Sequence, residues 1–226
     1  MDLLEIITID GPVGVGKSSV SRDIAKYLGY TPMDTGAMYR AVTLAAMEKK
    51  IDTPEGLSNL SKSINITLEE TGEGLRVYIN NRDVTEAIRE PLISKKTSNV
   101  SDVVGVRERL VEMQRNMGKK GRYVCEGRDQ GTVVFPEAKW KIYLDADIKT
   151  RVERRALQLE KDGKKVELDK LQEQVIERDF RDKTRSVGAL KIPADAIIFD
   201  TTNFNKKEVV EILVTLVEYG NKIIDK

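Results

Sequence analysis

Residues 4–19 read LEIITIDGPVGVGKSS. Ile6, Ile7 and Ile9 form a short apolar run that Gly11-Pro12 ends, which predicts a buried strand. Val20, Ile24, Ala25 and Leu28 then recur at helical spacing, and Gly29 supplies a stop. Between strand and helix, residues 11–18 match G-x-x-x-x-G-K-[ST] in full. A glycine-rich turn in this position aims its backbone N–H groups at phosphate oxygens, and the helix N-terminus adds the positive end of its dipole. Gly11, Pro12, Val13, Gly14, Val15, Gly16, Lys17, Ser18 and Ser19 are therefore the expected cradle of a nucleotide's phosphates. Lys17 is suited to the β- and γ-phosphates and Ser18 to Mg²⁺.

Outward from this loop the chain alternates. Residues 35–49 read as a helix after a short second strand, and 122–126, 140–144 and 196–200 read as further strands. Helical patterns cover 93–117, 148–161 and 167–183, the last two joined by a KDGKK turn, and 206–222 reads as a closing amphipathic helix. Residues 64–85 differ. They alternate apolar and polar with turn signals at 71–74 and 80–82, which predicts a small antiparallel meander inserted between helices. The expectation is an α/β fold, a parallel five-stranded sheet with helices on both faces, plus an inserted α+β unit.

Composition excludes several chemistries. Lys and Arg number 38 against 37 Asp and Glu in 226 residues, so bulk charge gives no reason to expect a nucleic-acid or membrane partner. The count of His is zero, which removes a Ser-His-Asp triad, a His base and a His-ligated zinc. Cys125 is the only cysteine, so no intrachain disulfide or thiolate cluster can form. Residues 1–10 lack the basic start of a signal peptide, and no run approaches the ~18 apolar residues that span a bilayer. These features point to a soluble, cytoplasmic protein, and the lack of a coiled-coil pattern to a monomer.

Phosphate binding alone leaves a small-molecule kinase, a regulatory GTPase and a motor open. A GTPase reads guanine with N/T-K-x-D, but residues 205–208 read NKKE at the start of a helix pattern. The D-x-x-G at 102–105 has no strand before it, and a motor should be larger. The kinase reading leads.

Further motifs sharpen it. MDTGAMYR (33–40), EGRDQGT (126–132), RRALQLEKDGKK (154–165) and ERDFRDKTR (177–185) follow the phosphate loop in order. Together they resemble the bacterial-type cytidylate (CMP) kinases over nearly the whole chain, and the meander resembles that family's enlarged acceptor-binding region. The resemblance implies transfer of the γ-phosphoryl group of ATP, with Mg²⁺, to CMP and dCMP, a step of pyrimidine nucleotide metabolism. It implies a core of residues 1–34, 121–150 and 167–226, an acceptor domain of 35–120 and a lid of 151–166. Carried over by position, Arg40, Arg128 and Arg185 would hold the acceptor phosphate. Ser98, Arg107 and Asp129 would read cytosine, Arg178 and Asp182 would lie near the sugar, and Thr35 beside the acceptor. Arg154, Arg155 and Arg181, with Lys17 and Arg128, are the expected catalytic cations. Without the resemblance, ERDFRDKTR reads as an exposed face laced with i,i+4 pairs. Glu126 stands where the family usually has Asp, and would accept from a magnesium-bound water.

Overall fold

In the computed structural model, which describes residues 4–224 apart from 73, 120 and 162, β1 (Leu4–Asp10) enters the glycine loop and α1 (Lys17–Leu28) leaves it. β2 (Thr31–Asp34) runs directly into α2 (Thr35–Glu48), and α3 (Pro54–Ser63) follows. The meander is β3 (Ile66–Thr71), β4 (Gly74–Ile79) and β5 (Arg82–Asp83). Next come α4 (Pro91–Ser101), α5 (Val104–Gly118), β6 (Tyr123–Gly127) and β7 (Ala138–Asp145). The chain continues through α6 (Ile148–Lys161), α7 (Leu168–Thr184), β8 (Ile197–Asp200) and α8 (Lys206–Ile224).

The main sheet has the order β2-β6-β1-β7-β8, and every pairing in it is parallel. Side chains alternate across it, as the pleat requires. Ile7, Ile9, Val124 and Ile142 pack with Val20 and Ile24 of α1 and Leu213 and Val217 of α8. Ile6, Met33 and Cys125 pack on the other side with Phe135, and Val111 and Met117 of α5 close over them. Each such side chain contributes about 1.5–3 kcal/mol when fully buried.

A second core forms where α2, α3 and α5 meet one face of the meander, around Met38, Val42, Leu57, Leu60, Ile66, Val77 and Leu110. α5 lines both cores, so it is a shared wall between the sheet and the inserted unit. Register brings Asp34 opposite Glu126, and Asp10 opposite Gly127 and Tyr143. Three acids thus stand at the carboxyl edge of the sheet, where open α/β sheets bind ligands.

The sequence pattern did not reveal α3, although its start is well marked. Thr53 accepts from Gly56 N at 3.2 Å and Pro54 opens the first turn. The span 93–117 is two helices, because the chain breaks at Asp102 and Val103. A π turn over Gln130–Val134 was also not anticipated. Residues 1–3 of the N-terminal stretch, Glu73 of the first meander turn and Asp162 of KDGKK lie outside the described residues. Among the described residues, no helix is long and apolar enough to cross a membrane.

Candidate active site

The glycine loop is shaped by backbone and braced from outside. Gly14 has φ +86°, and a Cβ there would come within 2.8 Å of the Arg151 carbonyl oxygen. Val13 N donates to Asp179 Oδ1 at 3.1 Å, and Arg151 Nη1 donates to Val13 O at 3.1 Å. Arg151 and Asp179 are themselves ion-paired, so α6 and α7 clamp the loop between them. Lys17 Nζ donates to Gly11 O at 2.8 Å and Pro12 O at 2.7 Å. Burial pushes its pKa well below the ordinary value, and the Arg128 charge adds to this.

Beside the loop is an acidic pair. Ser18 Oγ donates to Glu126 Oε1 at 2.6 Å. Burial, with the Asp34 charge next to it, pushes Glu126 up to about 7. Burial alone would raise Asp34 too, but the Arg40 charge, the Ala37 N–H and a hydrogen bond with Glu126 hold it below its usual range. Of the two carboxyls, Glu126 is therefore the one that holds a proton more readily. One hydroxyl and two carboxyl groups are a donor set that suits magnesium, which also takes phosphate oxygens and water. Among the described residues, no group of three His, Cys, Asp or Glu could hold a metal. The fit to magnesium thus depends on a nucleotide completing the set.

Arginines crowd the far side. Arg40 Nη2 donates to Asp34 Oδ2 at 3.0 Å. Arg128 donates from Nε to Asp182 Oδ2 at 2.7 Å and from Nη1 to Gly127 O at 3.1 Å. Arg185 pairs with the other oxygen of Asp182. Arg178 is brought down to about 9 by burial and then by the charges of Arg128, Arg155, Arg40 and Arg185. The Nε atoms of Arg178 and Arg185 are buried with no hydrogen-bond partner. Such a cluster is costly unless an anion sits in it.

A second constellation lies beside the arginines. Arg107 and Asp129 form a buried ion pair, Arg107 Nη1 also donates to Ser101 O at 3.1 Å, and the guanidinium lies 5.3 Å from the Tyr39 ring centroid. Gly188 covers the pair so closely that a Cβ would fall on both partners. Ser98, half-buried on α4, is tied in through Ser101, whose hydroxyl donates to Ser98 O at 2.9 Å. Thr35 donates to Glu126 O at 2.8 Å and lies against Gly127, just before Arg128.

A family model described as cytidylate kinase matches residues 7–219. The chain belongs to the cytidylate kinase family. A cytidylate kinase of Pelotomaculum thermopropionicum is 45% identical over 219 residues, covering 96% of this chain and 97% of that protein. One from Exiguobacterium sibiricum is 44% identical over 214 residues, covering 94% and 96%. In fold alone, the chain is similar to a solved structure of an uncharacterized protein from Eubacterium ventriosum. That likeness has a TM-score of 0.50 at 12% identity, covering 95% of this chain and 98% of the other.

Three arginines expected at the transferring phosphoryl from the resemblance to cytidylate kinases are bonded elsewhere in this structure. Arg154 donates to Thr201 Oγ1, Thr201 O and Phe204 O at 2.8, 2.7 and 3.0 Å, because those groups cap the end of β8 beside α6. Arg181 reaches α4 instead, donating to Asn99 Oδ1 at 3.0 Å and Asp102 Oδ2 at 2.7 Å. Arg155 Nη1 donates to Gln158 Oε1 at 2.7 Å, while its charge still acts on Arg178. The sequence reading missed Asp34, Tyr39 and the Arg151–Asp179 clamp. Asp34 carried a signal, since it precedes Thr35 as a helix cap and accepts from Ala37 N at 2.8 Å.

Proposed function

We propose that the protein transfers the γ-phosphoryl group of ATP to CMP and dCMP, giving ADP and CDP or dCDP. The observation that carries this reading is the cluster of Arg40, Arg128, Arg155 and Arg185 around Arg178, whose Nε is buried without a hydrogen-bond partner. That much like charge beside the phosphate loop calls for a second anion next to the first. Family membership supplies the chemistry of the acceptor.

The chain's groups divide the work. Lys17 leaves the carbonyl oxygens of Gly11 and Pro12 and neutralises the donor's terminal phosphates. Ser18 holds magnesium, with Glu126 and Asp34 behind it, and the ion when bound neutralises charge on the phosphate oxygens. Arg40, Arg128 and Arg185 grip the acceptor phosphate, and Arg178 and Asp182 flank the sugar. Asp129 accepts from the N4 amino group of cytosine and Arg107 donates to N3 and O2. Arg154, Arg155 and Arg181 join the transferring group only if closure draws them from their present partners. Closure belongs to a lid at 151–166 over a core of 1–34, 121–150 and 167–226, with 35–120, including the meander at 64–85, as the acceptor domain. The protein acts as a cytoplasmic monomer on small nucleotides.

The test is ADP release across a panel of nucleoside monophosphates. CMP and dCMP should be the best acceptors, UMP should be worse by roughly 10⁴ in kcat/KM, and release without acceptor should be slow because closure excludes water. Slow turnover unaffected by any monophosphate would overturn the reading.

A further inference from the structure

Asp10 ends β1 one residue before the glycine loop and is fully buried. Each of its oxygens accepts one backbone N–H: Oδ1 from Gln130 at 3.0 Å and Oδ2 from Gly131 at 2.8 Å. These are the first two amides of the π turn, donors that a helical start leaves without partners of its own. The far end of that turn is fixed independently. Arg115 of α5 donates to Val133 O at 2.6 Å and Val134 O at 3.0 Å, while at the near end Gln130 Nε2 also donates to Gln114 Oε1 at 3.2 Å. Arg128 and Asp129 sit just before the turn, at the end that Asp10 holds.

We propose that Asp10 is a positioning residue that sets the separation between the phosphate loop and the Arg128–Asp129 corner. The proposal rests on the acceptor roles given above to those two residues. A carboxylate suits the task because it only accepts, and its two oxygens match two adjacent N–H groups. An amide has a single oxygen and turns an NH₂ toward the other donor. Asp10 touches neither substrate. It acts by holding the acceptor corner at reacting distance from the donor, where small misplacement is costly.

Asp10→Asn should raise KM for the acceptor about tenfold and lower kcat by about as much. KM for ATP should stay within about twofold, and the preference for CMP over UMP should narrow. Equal losses toward ATP and CMP, or unchanged acceptor constants, would overturn the proposal. If the variant does not fold, hydrogen exchange of the wild-type protein decides. The Gln130 and Gly131 amides must then be as slow as those inside β1, and exchange at loop rates overturns the assignment. A wild-type protein that prefers another monophosphate sinks the cytosine reading only, and Asp10→Asn is then compared on that acceptor.

Discussion

On the proposed assignment, the donor side of the site is contiguous and made mostly of backbone, whereas the acceptor side is dispersed and made of side chains. Residues 11–16 present their backbone from one turn, and the Arg151–Asp179 pair braces it. On the other side, α2 supplies Arg40, α5 supplies Arg107, and the turn after β6 supplies Arg128 and Asp129. α7 adds Arg178 and Asp182, with Arg185 as its C-cap. A backbone cradle tolerates change in its surroundings as long as its glycines stay. A side-chain pocket depends on each contributing element keeping its place, and it spreads recognition over many small terms.

The largest expected break between the two sides is at Lys17, the one lysine of the loop, whose Nζ lies on the carbonyl oxygens of Gly11 and Pro12. Lys17→Ala should cost about 10³ in kcat, with the fold intact and KM for CMP nearly unchanged. Retention of more than about a tenth of wild-type kcat in a single-turnover assay would remove its special standing.

Asp129→Ala sharpens the comparison from the acceptor side. Loss of the acceptor for N4 should cut CMP activity by about 10² while sparing UMP, so the ratio of the two kcat/KM values narrows. KM for ATP is the control. An unaltered ratio would mean that the Arg107–Asp129 pair does not read the base.

A smaller effect lies at the seam, where Glu126 meets both Ser18 of the loop and Asp34 of the acceptor side. Burial and Asp34 lift Glu126 from 4.5 to about 7, so between those values the folded chain holds a proton that the unfolded chain has released. Asp10, raised by burial to about 6, acts in the same sense. Stability of the nucleotide-free protein should therefore fall as pH rises through this window, and Glu126→Gln should flatten the fall. Urea unfolding at about pH 5 and about pH 8 measures it. Lys17, held below its ordinary value, acts in the opposite sense, so the slope lost in Glu126→Gln is the decisive reading, and an unchanged slope would be incompatible with a protonated Glu126.

The same division governs what could be read from the sequence. The loop at 11–18 was legible because one turn carries its motif, and the sheet because runs such as Ile6–Ile9 are apolar apart from a single Thr. Arg107 is different. It is one charged residue on an ordinary helix until the fold sets it against Asp129, 22 positions away, so only the family pattern singled it out. Arg151 and Arg154 show the limit of that pattern. Both fall within 151–166, the span that the resemblance assigns to a lid. The structure spends one on the loop's backbone and the other on the end of β8, and spacing along a helix does not reveal which carbonyls will be near. α3 escaped because its burial is confined to Leu57, Leu60 and Ser61 between polar neighbours.

Cys125 provides a clock. It lies fully buried on an interior strand of the sheet, with Sγ 3.8 Å from Met33 Sδ, and burial pushes its thiol pKa well above the ordinary value. The chain has no other cysteine, so a thiol reagent has a single target, and it reacts only when β6 becomes accessible. The labelling rate therefore times the opening of the sheet without any engineered probe. A substrate that grips both sides of the site should slow that clock more than either nucleotide alone.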